Sequence, residues 1–200
     1  MNAIVSDSER DQWLSEKLDE LLPSKLKEIE QNKTPSMSII AAHGTLDWAY
    51  PPFILASTGA ALGWDVLIFF TFYGLLLLKK EVPCEVSPLG NPAMPMKMPF
   101  GPKWFQELNW PMPNLMMAGV PGFEKVATGL MKKTFQNKGV ASVEELPSLC
   151  LEADVKMIAC QMTVDVFGFS ESDFFPEVKD YVGAASFLPT ARQSDVCLFC

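Results

Sequence analysis

The stretch VKMIACQMTVDVFGF, residues 155 to 169, holds a strand, a cysteine and a helix in immediate succession. Val155 to Ala159 is a compact apolar run with a single lysine, the composition of a buried strand. Met162, Val166 and Phe167 then recur at helical spacing, and Gly168 supplies a stop. Cys160 sits at the junction. There, unpaired helix N–H groups and the positive end of the helix dipole favour a thiolate over a thiol. Unbridged cysteine is also among the most buried residue types, so a core role for Cys160 stays open on this reading.

The same alternation runs outward from this stretch. Met37 to Ala42 and Asp65 to Phe72 read as strands, and Asp47 to Leu62 and Phe123 to Gln136 as helices. Ser142 to Ala153 reads as a helix, with Ser142 and Glu145 spaced as a capping box. Gly183 to Ser194 reads as a further helix and Val196 to Phe199 as the last strand. Alternating strands and helices predict an α/β fold, a parallel sheet covered on both faces, over residues 36–200.

Residues 1–35 differ in kind. Thirteen of the 40 Asp, Glu, Lys and Arg residues fall before residue 34, while Trp13, Leu14, Leu18, Leu21 and Leu22 recur at helical spacing. This predicts a helical N-terminal extension, broken near Pro23 and resumed through Leu26 and Ile29, that packs against another subunit. Between Pro83 and Pro113 lie eight prolines and four methionines, which predicts a long irregular loop. Trp104, Phe105 and Trp110 make its second half a lid or a partner surface.

Phe53 to Leu78 carries one charge, Asp65, and is long enough to span a bilayer. Gly59, Gly63 and Gly74 punctuate it, and buried parallel strands read as continuous apolar runs anyway, so a helix followed by a strand is the expectation. A net charge of −8 argues against nucleic acid as a partner. The five cysteines follow a charged N-terminus without an apolar leader, which predicts free thiols in a reducing cytoplasm.

Candidate sites follow from these placements. His43, the single histidine, follows the first strand and should reach the same sheet edge as Cys160, where it either assists proton transfer or shapes the loop. Cys150, on the helix before the strand of Cys160, is placed as a resolving thiol by its spacing but at the opposite sheet edge by its topology. Cys197 and Cys200 form a C-x-x-C whose members point to opposite faces of a strand, with Cys200 expected to be loose. Met94, Met96 and Met98 could serve Cu(I), which makes a copper-binding protein one alternative and a non-catalytic structural subunit another.

IACQMTVDVFGF at 158–169, with DVLIFFTFYGLLLLKK at 65–80 and SPLGNPAMPMKMP at 87–99, resembles the DsrE/DsrF-like sulfur-carrier family over about residues 36–199. The nearest likeness is to the DsrE-type subgroup often labelled peroxiredoxin-like. The resemblance implies a three-layer, flavodoxin-like α/β/α sandwich with a five-stranded sheet. It further implies that Cys160 carries sulfur as a persulfide or thiosulfonate, with no cofactor and no bound metal. Its expected partners are a TusA-like sulfur carrier, a rhodanese-like sulfurtransferase and further copies of the chain. It implies a carrier rather than a multi-turnover enzyme. A peroxidatic cysteine needs a polarising arginine and a Thr or Ser network, and the only arginines are Arg10 and Arg192, so true peroxiredoxin activity is not expected.

Overall fold

Ser36-Met-Ser-Ile-Ile-Ala41 and Asp65-Val-Leu-Ile-Phe-Phe70 are mostly apolar, and they lie as neighbouring, largely buried strands, β1 and β2. The computed structural model describes residues 7–82, 84–87, 97–109 and 119–200. They fall into two units, one ending at Thr34 and one spanning Pro35–Cys200. The first unit is a single helix, α1, Asp7–Asn32. In the second the order is β1, α2 (Leu46–Ala61), β2, a 3-10 helix (Phe72–Leu78), α3 (Lys103–Glu107) and α4 (Phe123–Asn137). There follow α5 (Leu146–Glu152), β3 (Lys156–Cys160), α6 (Gln161–Phe167), a 3-10 turn at Glu171–Asp173, β4 (Asp180–Val182), α7 (Ala184–Gln193) and β5 (Val196–Phe199).

The five strands form one parallel sheet in the order β4-β3-β2-β1-β5. The chain therefore adds strands in one direction from β1 to β4 and then returns to the far side of β1 for β5. Because parallel crossovers are right-handed, that reversal sends α7 to the face opposite α2 and α5. The core confirms two unequal faces. Val66, Ile68 and Phe70 join Phe53 of α2, Leu146 and Cys150 of α5 and Val164 of α6. Leu67 and Phe69 point the other way, with Cys160, toward Phe187 and Ala191 of α7. The Phe69 and Phe187 rings stack at 4.4 Å. The result is a three-layer α/β/α sandwich.

Several local expectations change. The apolar run from Phe53 to Leu78 divides into the second half of α2, β2 and the 3-10 helix, and among the described residues no helix is long and apolar enough to cross a membrane. Helix α1 passes through Pro23 without a break. A proline inside a helix removes one backbone hydrogen bond, and because this helix is exposed the freed carbonyl is open to solvent rather than buried. The helix expected from Ser142 begins only at Leu146, because Ser142–Glu145 makes a turn in which the Ser142 N–H donates to Glu145 Oε2 at 2.9 Å. The one strand of the sheet not expected is β4, Asp180–Val182, three residues long and too short to show a period. Within the proline-rich loop, Lys103–Glu107 forms a short helix, and Trp110, Met94 and Met96 lie outside the described residues.

Two glycines lock the loops at the C-terminal edge of the sheet. A Cβ on Gly74 would run into the carbonyl oxygen of Ala41, and one on Gly44 into the carbonyl oxygen of Tyr73. The loops after β1 and β2 thus pass at backbone contact, and the Thr71 N–H reaches Ala41 O at 2.9 Å. Gly74→Ala must displace main chain rather than a flexible side chain. It should cost about 2 kcal/mol or more, read as a lower thermal midpoint, and an unchanged midpoint would mean that the loops are free to part.

Candidate functional site

Cys160 is both the last residue of β3 and the N-cap of α6. Gly168 ends that helix in the left-handed conformation at φ 66°, as the glycine stop requires. In β3 the side chains alternate, so Met157 and Ala159 face the thick layer of helices while Ile158 and Cys160 face α7. Phe70 pairs with Ala159, so the next residue along β2, Thr71, stands across from Cys160 and on its side of the sheet.

A hydroxyl cluster surrounds the sulfur. The Thr163 side chain, 2% exposed on the first turn of α6, lies with its Oγ1 3.3 Å from Thr71 Oγ1. The Phe72 N–H donates to that same Thr163 oxygen at 3.4 Å, and Phe72 takes a left-handed φ of 47°, a strained conformation for an aromatic residue. With its lone pair engaged by an N–H, the Thr163 hydroxyl is left to donate its own proton.

Burial by itself pushes the Cys160 thiol up, but this is outweighed by hydrogen bonds from the Thr163 hydroxyl, the Thr163 N–H, the Thr71 hydroxyl and the Met162 N–H. The thiol is held below its ordinary value. Cys160 is only 3% exposed, yet Met162 and Val166 of α6 and Phe72 and Tyr73 after β2 are exposed apolar side chains. Tyr73 stacks on Phe167 at 5.9 Å.

The other cysteines differ sharply. Cys150 is fully buried, its thiol donating to the Phe53 carbonyl at 3.5 Å, and burial pushes it up to about 11. It lies on the opposite face from Cys160 and before the start of β3, a strand whose five residues span roughly 13 Å from first Cα to last. The structure does not bring the two together. Cys84 donates to the Gly44 carbonyl at 3.2 Å and is likewise pushed up to about 11 by burial. Cys197 is exposed. Cys200 is not loose, since its N–H donates to Ile40 O at 2.7 Å and its carbonyl accepts from the Ala42 N–H at 2.8 Å.

His43 arrives at the same edge of the sheet, exposed, with its ring stacked on Trp48 at 4.5 Å. Strand β2 stands between β1 and β3, so the neighbours of Cys160 come from the end of β2 instead. Thr71 and Thr163 went unremarked in the sequence. The available signal was Thr163 three residues after a helix-capping cysteine, on the first turn where its N–H lacks an intrahelical partner.

Residues 33–199 match the model of the DsrE/DsrF/DrsH-like family, and the chain belongs to that family. It is 55% identical over 171 residues to the sulfur carrier protein DsrE2 of Allochromatium vinosum, covering 86% of this chain and 99% of that protein. It is 28% identical over 167 residues to the uncharacterized protein YrkE of Bacillus subtilis, covering 84% of this chain and 98% of that one.

The hydroxyl cluster makes a direct prediction for reactivity. As pH rises, alkylation of Cys160 should climb through a midpoint below that of an ordinary thiol and then level off, while Cys84 and Cys150 stay protonated until about 11. Thr163→Val should raise the Cys160 midpoint and lower its thiolate fraction at neutral pH about tenfold, the effect of losing one hydrogen bond of roughly 1.5 kcal/mol to a charged group. Peptide-resolved alkylation profiles measure both, and a midpoint unmoved by the substitution would exclude Thr163 as the stabilising donor.

Proposed function

We propose that this chain is a sulfur carrier that holds sulfane sulfur on Cys160. The observation that carries the reading is the thiolate-stabilising cluster of Thr71, Thr163 and Met162 at the end of β3, in a chain 55% identical to a protein named as a sulfur carrier.

The chemistry is a thiol–disulfide type exchange without net redox change. The Cys160 thiolate attacks the outer sulfur of a donor persulfide, a bond forms between the two sulfurs, the donor's S–S bond breaks and the donor leaves as a thiolate. With tetrathionate the attack falls on an inner sulfur, thiosulfate leaves, and Cys160 keeps a thiosulfonate. Transfer onward reverses the roles: an acceptor thiolate takes the outer sulfur and Cys160 departs as a thiolate. The same donors serve both directions, because they stabilise Cys160 sulfur as nucleophile and as leaving group. No second cysteine of this subunit takes part, since Cys150 is buried on the other face. The protein donor and acceptor we assign to it are of the rhodanese-like and TusA-like classes, in a reducing cytoplasm. The apolar rim of Phe72, Tyr73, Met162 and Val166 suits a protein donor that displaces water on docking.

Intact mass after incubation with polysulfide or tetrathionate should show the addition of one sulfur atom or one thiosulfate, reversed by reductant. Cys160→Ser should abolish the addition with the fold unchanged, and Cys150→Ser should retain it. Loading that survives Cys160→Ser and disappears in Cys150→Ser would move the site to the thick face of the sheet.

A further inference from the structure

Helix α1 lies outside the family match, which begins at residue 33, and belongs to the separate first unit of the chain. It is therefore an addition to the α/β unit, with a pattern of its own. At 100° per residue, Leu14, Leu18, Leu21, Leu22, Leu26 and Ile29 fall in one sector of roughly 140°. All six are between 45% and 66% exposed in the single chain. The stripe runs about 22 Å, four turns, and Lys25 is the sole charge within it. A stripe of this width belongs to a helix packed on something.

The charges identify the occupant. From Asp7 to Glu20 there are six carboxylates against two cations, a net of −4, and from Leu21 to Lys33 three cations against two carboxylates, a net of +1. Two copies laid parallel set −4 against −4. Laid antiparallel, each acidic half meets the basic half of its partner. Centred on Leu22, the antiparallel arrangement sets Leu18 against Leu26 and Leu14 against Ile29, and on one flank it sets Lys17 against Glu28. Those two now pair within their own helix, Lys17 with Glu20 and Lys25 with Glu28, but both pairs are exposed and exchange partners readily. A lipid surface is the poorer fit, because interfacial helices carry Lys and Arg on the polar face and this helix is acidic overall.

We infer that α1 is a self-association element through which two copies of this chain pair antiparallel along the leucine stripe. The two-fold arrangement is isologous and closes, so it joins copies in pairs.

Light scattering of the full-length chain across a concentration series tests this. Leu18→Lys/Leu22→Lys keeps good helix formers and should give half the wild-type mass at matched concentration, with helicity by circular dichroism retained. An unchanged mass would overturn the inference. Lys17→Glu should weaken pairing about tenfold, since by symmetry two attractive pairs become repulsive, and adding Glu28→Lys should restore it. Failure of the double reversal to restore pairing would refute the antiparallel register. Flotation of the wild type with neutral or anionic vesicles, lost in Leu18→Lys/Leu22→Lys, would overturn self-association in favour of a lipid surface.

Discussion

Everything at the reactive edge depends on the close passage of two backbones. The loop after β1 and the loop after β2 touch main chain to main chain at Gly44 and Gly74, and side chains at either place would force them apart. This contact sets the exit of β2. Thr71 is tied to Ala41, and Phe72 is turned into the left-handed region, where it aims its N–H at Thr163. Thr163 in turn is directed at Cys160. A strained aromatic backbone persists only where its surroundings over-determine it, and here they do so from both sides.

That geometry explains how one chain holds cysteines of opposite character. Cys84, Cys150 and Cys160 are all nearly or fully buried, and burial raises every one of them. At the first two burial dominates, over the nearby Lys132 at Cys84 and the Ser57 N–H at Cys150. Cys160 meets two hydroxyls and two N–H groups, which favour the anion. Burial acts on all three, and what outweighs it, at Cys160 alone, is this set of hydrogen-bond donors.

The sheet order adds a second asymmetry. By reversing direction after β4, the chain places α2 and α5 on one face and α7 on the other, and Cys160 falls to the thinner side. The thick face is where Cys150 lies, its thiol pushed up by burial. Alternation along β3 alone decides this, since a shift of one residue would have turned Cys160 into the thick core.

Much of this architecture is legible in the chain. The apolar runs at 37–42, 65–72 and 155–159, the helical spacing between them and the glycine after Phe167 determine the parallel α/β unit and put Cys160 at a strand-to-helix junction. Those signals are local periods of two and of 3.6, and they need no tertiary information. The three-residue strand β4 and the continuity of α1 through Pro23 escaped because the first is too short to show a repeated alternation and the second is an exposed helix that tolerates the loss of one backbone hydrogen bond. Only the tertiary structure decided which residues surround the sulfur. Thr71 lies 89 positions before Cys160, His43 reaches the same edge but one strand too far away, and Cys150, ten positions distant, is on the wrong face. Strand order and pleat, not sequence separation, determine neighbours in a parallel sheet, because the pairing that joins β2 to β3 is made across the whole intervening chain.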